Sequence, residues 1–133
     1  MKKTILITGG LGFIGHHITL KLLNLNISVT VLDSLSEKIH TAADIEEKLA
    51  FLGAHQGFTF IKGDVTNVDD CKKALANCNI LIHLAAETGT GQSMYEIAQY
   101  VNTNVNGTAV LLDLISRENI KLDRIILSSS RSV

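Results

Sequence analysis

A doubly wound, parallel α/β sheet of five strands is the fold class this 133-residue sequence predicts, and three observations carry it. Apolar runs of strand length alternate with stretches of helical period, the pattern of successive βα units. Those runs are rich in Ile, Leu and Val without polar alternation, as strands buried on both faces are. The first run leads through the glycine turn Thr8-Gly9-Gly10-Leu11-Gly12-Phe13-Ile14-Gly15 into a helical stretch. With right-handed crossovers the expected strand order is 3-2-1-4-5, with a ligand crevice between strands 1 and 4.

The elements follow in order. Strands are expected at Thr4–Thr8, Ser28–Leu32, Phe58–Lys62, Ile80–Leu84 and Arg124–Leu127. Helices are expected at Ile14–Leu25, within Thr41–Leu52, at Val68–Asn77 and along the long segment Met94–Arg117. Asn67, three residues before Asp70, is placed to cap the third helix. Val110-Leu111-Leu112 with Leu114-Ile115 reads as a core stripe. Glu46-Glu47-Lys48 and Asp69-Asp70 read as solvated helix faces.

Composition narrows the function. The length is that of one domain, able to bury roughly two-thirds of its unfolded surface. A hydrophobic content of 46% supports a core on both sides of a sheet. The net charge of −1, with charges scattered singly, indicates neither a nucleic-acid nor an acidic-membrane partner. No apolar run approaches the ~20 residues of a membrane span. Met1-Lys2-Lys3 and the apolar stretch after it imitate a signal peptide, but Gly9, Gly10 and Gly12 interrupt it, so a cytoplasmic strand is expected. Cys71 and Cys78, seven apart on an expected helix, lie ~10 Å from each other along its axis and read as free thiols. No metal site is expected.

A strand running through a glycine turn into a helix places bare N–H groups and a positive dipole end at one point, which suits a pyrophosphate. Gly9 allows the tight turn, Gly12 the approach of phosphates and Gly15 the packing of helix on strand. The spacing is GxxGxxG. Asp33 ends the second strand, where a carboxylate accepts from the adenosine ribose hydroxyls; the competing reading is an aspartate that starts a turn. A 2′-phosphate there would meet a like charge at about 4 Å, a repulsion of about 4 kcal/mol at an effective dielectric near 20. No arginine follows in Ser34-Leu35-Ser36, so NAD is expected over NADP. Gly63-Asp64-Val65 ends the third strand, where a side chain meets an adenine edge or merely shapes a loop. After the fourth strand, Ala85 and Ala86 permit close approach of a cofactor, and His83 reads as a packed strand histidine.

Together these motifs make the chain resemble the amino-terminal part of an extended short-chain dehydrogenase/reductase of the NAD-dependent sugar-nucleotide epimerase/dehydratase family, whose fold is Rossmann-type. Thr8–Gly15 resembles the family's glycine loop, Val31–Ser34 its ribose-binding strand end, and Gly63–Asn67 and His83–Ser93 the adenine-side and nicotinamide-side loops. Asn102–Thr108 resembles the helix beneath the cofactor, and Leu127–Val133 the fifth strand with its catalytic serine. Ala85–Glu96 is most similar to epimerases acting on dTDP- or UDP-hexoses. The resemblance implies Gly9, Gly12, Phe13, Ile14 and Gly15 at the pyrophosphate of NAD and Asp33 at the adenosine ribose. It implies Asp64 and Val65 at adenine, and Leu84, Ala85, Ala86 and Thr88 along the nicotinamide half. Asn104 is implied beneath the cofactor, Ser128 at the strand end and Ser130 as the catalytic serine. Ser93 either faces the sugar or caps a helix.

In such enzymes a tyrosine, paired with a lysine four residues later, takes a proton from the sugar hydroxyl as hydride passes to NAD. Here Tyr95 is followed four residues later by Gln99 and Tyr100 by Asn104. Residues 1–133 are therefore expected to form an incomplete NAD-binding domain, without the carboxyl-terminal substrate-binding region. The expected function is the NAD-binding portion of a nucleotide-sugar epimerase, inactive as this fragment. A 4,6-dehydratase fragment and a non-catalytic dinucleotide sensor are the alternatives. The helical segment Met94–Arg117 is implied as a homodimer surface, and an unpaired fifth-strand edge is expected to invite association.

Overall fold

A computed structural model describes residues 3–36 and 41–129. Five parallel strands, β1 (Thr4–Thr8), β2 (Ser28–Asp33), β3 (Phe58–Lys62), β4 (Ile80–His83) and β5 (Arg124–Leu127), lie in the order β3-β2-β1-β4-β5. That is the predicted order. Residues alternate across the central strands, and the two faces build two separate cores. Leu6, Leu32 and Leu81 pack with Cys71, Ala74, Leu75, Leu111 and Leu114 on one face. Ile5, Ile7, Val29, Val31 and Ile82 pack with Leu11, Leu23 and Leu52 on the other. Both faces are covered over β1 and β4, which carry apolar residues in succession, whereas β3 is part exposed and β5 is exposed along its length.

The first core is closed by α3 (Val68–Leu75) and α6 (Gly107–Arg117), the second by α1 (Phe13–Asn24) and α2 (Ala42–Gly53). Thr41 and Asp44 form a capping box on α2, and the Asn67 side chain accepts from the Asp70 amide at 3.0 Å to cap α3. That helix stops at Leu75, two residues short of expectation, because Ala76 is extended and Asn77 enters the left-handed region at φ 63°. Cys78 therefore lies beyond the helix rather than on it. Both cysteines are buried and free, and burial pushes their thiols up to about 12 for Cys71 and about 11 for Cys78.

Two strand boundaries and the long helical segment also differ from the sequence expectation. Helix α1 (Phe13–Asn24) begins and ends one residue early, and α2 (Ala42–Gly53) runs one residue past Leu52. Strand β2 runs one residue further, to Asp33, and β4 stops at His83, where the Leu84 amide turns to the Thr8 carbonyl at 3.1 Å. The segment Met94–Arg117 is not one helix. A short turn, α4 (Thr90–Ser93), is followed by Glu96 in a non-helical conformation, and then by α5 (Ile97–Val101). A π-helical turn, Asn102–Asn106, joins α5 to α6. Three asparagines fall within this turn, and asparagine is a weak helix former that tolerates the wider winding. Within α6, Leu111 and Leu114 are core, whereas Leu112 faces outward at 47% exposed.

Among the described residues no helix is long and apolar enough to cross a membrane. Strand β5 forms one sheet edge, with Ile125, Ile126 and Leu127 all exposed.

Candidate functional site

Gly9, Gly10 and Gly15 are demanded by sterics. Gly9 sits at φ +70°, and a Cβ on it would lie 2.8 Å from the Ala85 amide nitrogen. A Cβ on Gly10 would lie 2.6 Å from the Val31 side chain, a constraint the sequence reasoning missed. A Cβ on Gly15 would lie 2.7 Å from Gly10 Cα, so its bareness lets α1 pack against the glycine turn itself rather than the strand. Gly12 differs: its Cβ would meet only the Gly9 carbonyl, at 3.2 Å, and the rest of that space is open to the cleft. It also starts α1 with no side-chain cap and no acidic residue in the first turn. No side chain of α1 itself neutralises the positive end of its dipole.

Asp33 is fixed from two sides. Its Oδ2 accepts from the Leu11 amide at 3.0 Å, and its Oδ1 from the Leu35 amide at 3.0 Å. Lys48 of α2 donates to the Leu11 carbonyl at 3.1 Å. The residue read as part of a solvated face is half-buried and supports the glycine turn. Asp64 Oδ1 accepts from both the Thr66 amide and the Thr66 hydroxyl at 2.8 Å, while Asp70 Oδ2 accepts from the Asp64 amide at 3.1 Å. Val65 is only 4% exposed and fills the space a Cβ on Gly107 would need.

His83 belongs to a buried network rather than to the open cleft. Thr8 Oγ1 accepts from the Leu84 and Ala85 amides, each at 3.2 Å, so its own proton is free to go to His83 Nδ1 at 2.6 Å. Thr108 Oγ1 donates to the Asn104 carbonyl at 2.9 Å, so it must accept from His83 Nε2 at 2.9 Å. These directions assign a neutral imidazole with its proton on Nε2. Burial pulls the pKa of His83 below its ordinary value, in agreement with that assignment.

A cleft of about 400 Å³ runs over the carboxyl ends of the strands. The β1–α1 turn supplies Gly9, Gly12, Phe13, Ile14 and Gly15 to its wall. Phe13 and Ile14 are 81% and 61% exposed, unusual for side chains of their size. Asp33 enters from β2, and Asp64 and Val65 from β3. Leu84, Ala85, Ala86 and Thr88 enter from β4, and Ser128 from β5.

Two residues singled out from the sequence stand elsewhere. Asn104 does not line the cleft; it clamps the Glu87 backbone, accepting from its amide at 2.8 Å and donating to its carbonyl at 3.1 Å. Ser93 neither faces the cleft nor caps a helix N-terminus, and its hydroxyl donates to the Thr90 carbonyl at 2.8 Å. Ser130 lies outside the described residues. The wall also includes Leu32, Ser34, Ser36, Gly63 and Thr103, which were not singled out. All five lie within three positions of a residue that was. Among the described residues no group of His, Cys, Asp and Glu side chains could hold a metal ion.

Comparison with known proteins adds four findings. The model of the NAD dependent epimerase/dehydratase family matches residues 5–133. A dTDP-L-rhamnose 4-epimerase of Burkholderia thailandensis is 38% identical over 133 residues, covering 98% of this chain and 35% of that protein. A bifunctional UDP-glucose 4-epimerase and UDP-xylose 4-epimerase of Pisum sativum is 30% identical, covering 98% of this chain and 37% of its own length. Among solved structures, UDP-glucuronic acid 4-epimerase of Bacillus cereus, in complex with UDP-glucuronic acid and NAD, superposes with a TM-score of 0.84 at 34% identity. That match covers 98% of this chain and 41% of the other. The chain thus spans little more than a third of the length of the Burkholderia and Pisum proteins.

Proposed function

The chain belongs to the NAD-dependent epimerase/dehydratase family, and from that premise we propose that its cleft binds NAD as the cofactor-binding portion of a nucleotide-sugar epimerase. One observation carries the reading: an uncapped, acid-free α1 N-terminus opens over Gly12 into a cleft that reaches Asp33 at one end and Ser128 at the other. The residues fit the cofactor. Gly9, Gly12 and Gly15 leave room for the pyrophosphate, which the helix dipole and the first backbone N–H groups of α1, from Phe13 and Ile14 onward, hold. The Gly9 and Gly12 amides themselves go to the Leu32 and Gly9 carbonyls. Asp33, locked by two amides, accepts from the adenosine ribose, and Asp64 and Val65 border adenine. Leu84, Ala85, Ala86, Thr88 and Ser128 line the nicotinamide half, and Asn104 acts from beneath by holding Glu87.

Bound there, NAD supplies the acceptor for a hydride taken transiently from a hexose carbinol carbon. The chain's part is to orient and to exclude water: Phe13 and Ile14 cover the cofactor, and Ala85 and Ala86 keep the floor low enough for close approach. By likeness to the family Ser130 is assigned as its catalytic serine, and Ser93 is assigned to the sugar side only if its hydroxyl leaves the Thr90 carbonyl. The proton goes to the tyrosine of a Tyr-x-x-x-Lys pair, which residues 1–133 do not contain. These residues on their own therefore bind the dinucleotide without turning over a sugar. An epimerase is favoured over a dehydratase by the names of the relatives.

The segment Met94–Arg117 carries Ile97, Val101, Val105 and Leu112, all exposed, and forms a homodimer surface. Buried free thiols fit a cytoplasmic protein, and the net charge gives no footing for a nucleic-acid or membrane partner.

Calorimetry of the chain with NAD, NADP and a UDP-hexose tests the proposal. NAD is expected to bind, NADP at least about tenfold more weakly because a rigid Asp33 faces the 2′-phosphate, and the UDP-hexose hardly at all. Equal affinity for NADP contradicts the assignment of Asp33, and no heat with either dinucleotide contradicts the proposal as a whole.

A further inference from the structure

We infer that Tyr100 is a positioning residue for the nicotinamide half of the cleft, acting through the backbone of Thr88 and Gly89. The inference rests on the dinucleotide reading above and deepens it. Three side chains from α5 and the π-helical turn converge on the loop after β4. Tyr100 shares its hydroxyl proton between the Thr88 carbonyl at 2.8 Å and the Gly89 carbonyl at 3.0 Å. Asn104 binds both the amide and the carbonyl of Glu87, and Gln99 Nε2 donates to Glu87 Oε1 at 3.1 Å. Three consecutive residues, 87 to 89, are thereby each held by a side chain of the same helical segment.

The loop needs such a hold. Gly89 sits at φ +118°, a conformation that local preference does not fix, and the loop is exposed rather than packed. Thr88 is the point of transmission: its carbonyl takes the Tyr100 hydroxyl, and the residue itself lines the cleft. Tyr100 does not line the cleft, and its hydroxyl is held by the Thr88 and Gly89 carbonyls, so its route to the cleft is through that backbone. Strand order confines its reach to one half. Thr88 follows β4, on the far side of the β1–α1 turn from Asp33, which ends β2, and Asp64, which follows β3. Loosening the loop should therefore weaken contacts to the nicotinamide nucleotide and leave the adenosine and pyrophosphate contacts alone.

The test compares NAD with ADP, which keeps only the adenosine half and its phosphates, by calorimetry on the wild-type chain and on Tyr100→Phe. Loss of one hydrogen bond predicts NAD affinity lower by roughly three- to tenfold, with ADP affinity unchanged within about twofold and an unaltered far-UV circular dichroism spectrum. Should Tyr100→Phe fail to fold, Gly89→Ala carries the same expectation, since its Cβ would sit 3.3 Å from the Tyr100 hydroxyl in a strained backbone. NAD affinity unchanged, or NAD and ADP weakened alike, overturns the inference. So does a wild-type chain that binds ADP as tightly as NAD, an outcome that leaves the adenosine end of the proposed site standing. A wild-type chain that binds neither overturns the inference and the proposed function together.

Discussion

Both carboxylate oxygens of Asp33 are occupied by backbone amides, one from the glycine turn and one from its own loop. The sequence position of Asp33 at the end of a strand was enough to single it out. The ties to Leu11 and Leu35 were not legible, because they depend on how the turn folds back over β2. The same holds for Lys48: a lysine in a charged helical run reads as solvated until the tertiary structure brings the Leu11 carbonyl within its reach. His83 is the opposite case, recognisable as a packed strand residue from its apolar neighbours. Its buried network has a consequence for pH. Protonation would place a second N–H against Thr8 Oγ1, which already accepts from two amides and donates to His83 Nδ1. The folded pKa lies below the ordinary 6.5, so between those values the unfolded state binds the proton and the folded state does not. The stability that His83 confers is full above about pH 6.5 and lost as pH falls below it. His16, also lowered by burial and by Lys48, adds a contribution of the same sign. Urea midpoints measured at pH 7.5 and 5.5 should fall on acidification, and by less in His83→Gln. A midpoint that holds or rises on acidification speaks against the neutral network.

At the scale of elements, the strands were legible and the long helix was not. Apolar runs bounded by glycine, asparagine and aspartate mark β1 to β5 to within a residue; for β1 and β4 the reason is burial on both faces, while β5 keeps its apolar run although it is exposed. The segment Met94–Arg117 has helical composition throughout, yet Glu96 and the asparagine-rich turn divide it. Nothing in its periodicity marks the extra residue of a π-helical turn. That turn coincides with the place where Thr103 reaches the cleft wall and Asn104 reaches Glu87. It leaves Ile97, Val101, Val105 and Leu112 exposed on the segment, the surface assigned above to a second copy. Sedimentation velocity at tens of micromolar should show a dimer for the wild-type chain and a monomer for Val105→Glu, since a buried, unpaired carboxylate costs several kcal/mol. A dimer that survives Val105→Glu but dissociates with Ile126→Lys would move the interface to the β5 edge.

Over the whole molecule, cover is unequal across the sheet, falling from the central strand to the β5 edge. Ile5, Leu6 and Ile7 of the central strand are at most 6% exposed, while Ile125, Ile126 and Leu127 of β5 are 42–56% exposed. The candidate site shows the same gradient, crowded with backbone and small side chains over β1 and β4 and reaching β5 only through Ser128. Its composition was legible from motifs because the glycine turn, the strand-end aspartates and the paired alanines all end strands, and parallel strands bring their carboxyl ends to one edge. What the motifs did not carry is the wall between them. Leu32, Ser34, Ser36, Gly63 and Thr103 line the cleft by adjacency, with no chemical signature of their own. The central claim is that the open space over Gly12 receives the pyrophosphate of NAD. Calorimetric titration of NAD into the wild-type chain and into Gly12→Val tests it most directly, with circular dichroism establishing that the variant is folded. The expected result is binding to the wild-type chain and a loss of at least about tenfold in the variant, whose side chain fills the phosphate's space; equal affinity in a folded Gly12→Val chain would contradict it.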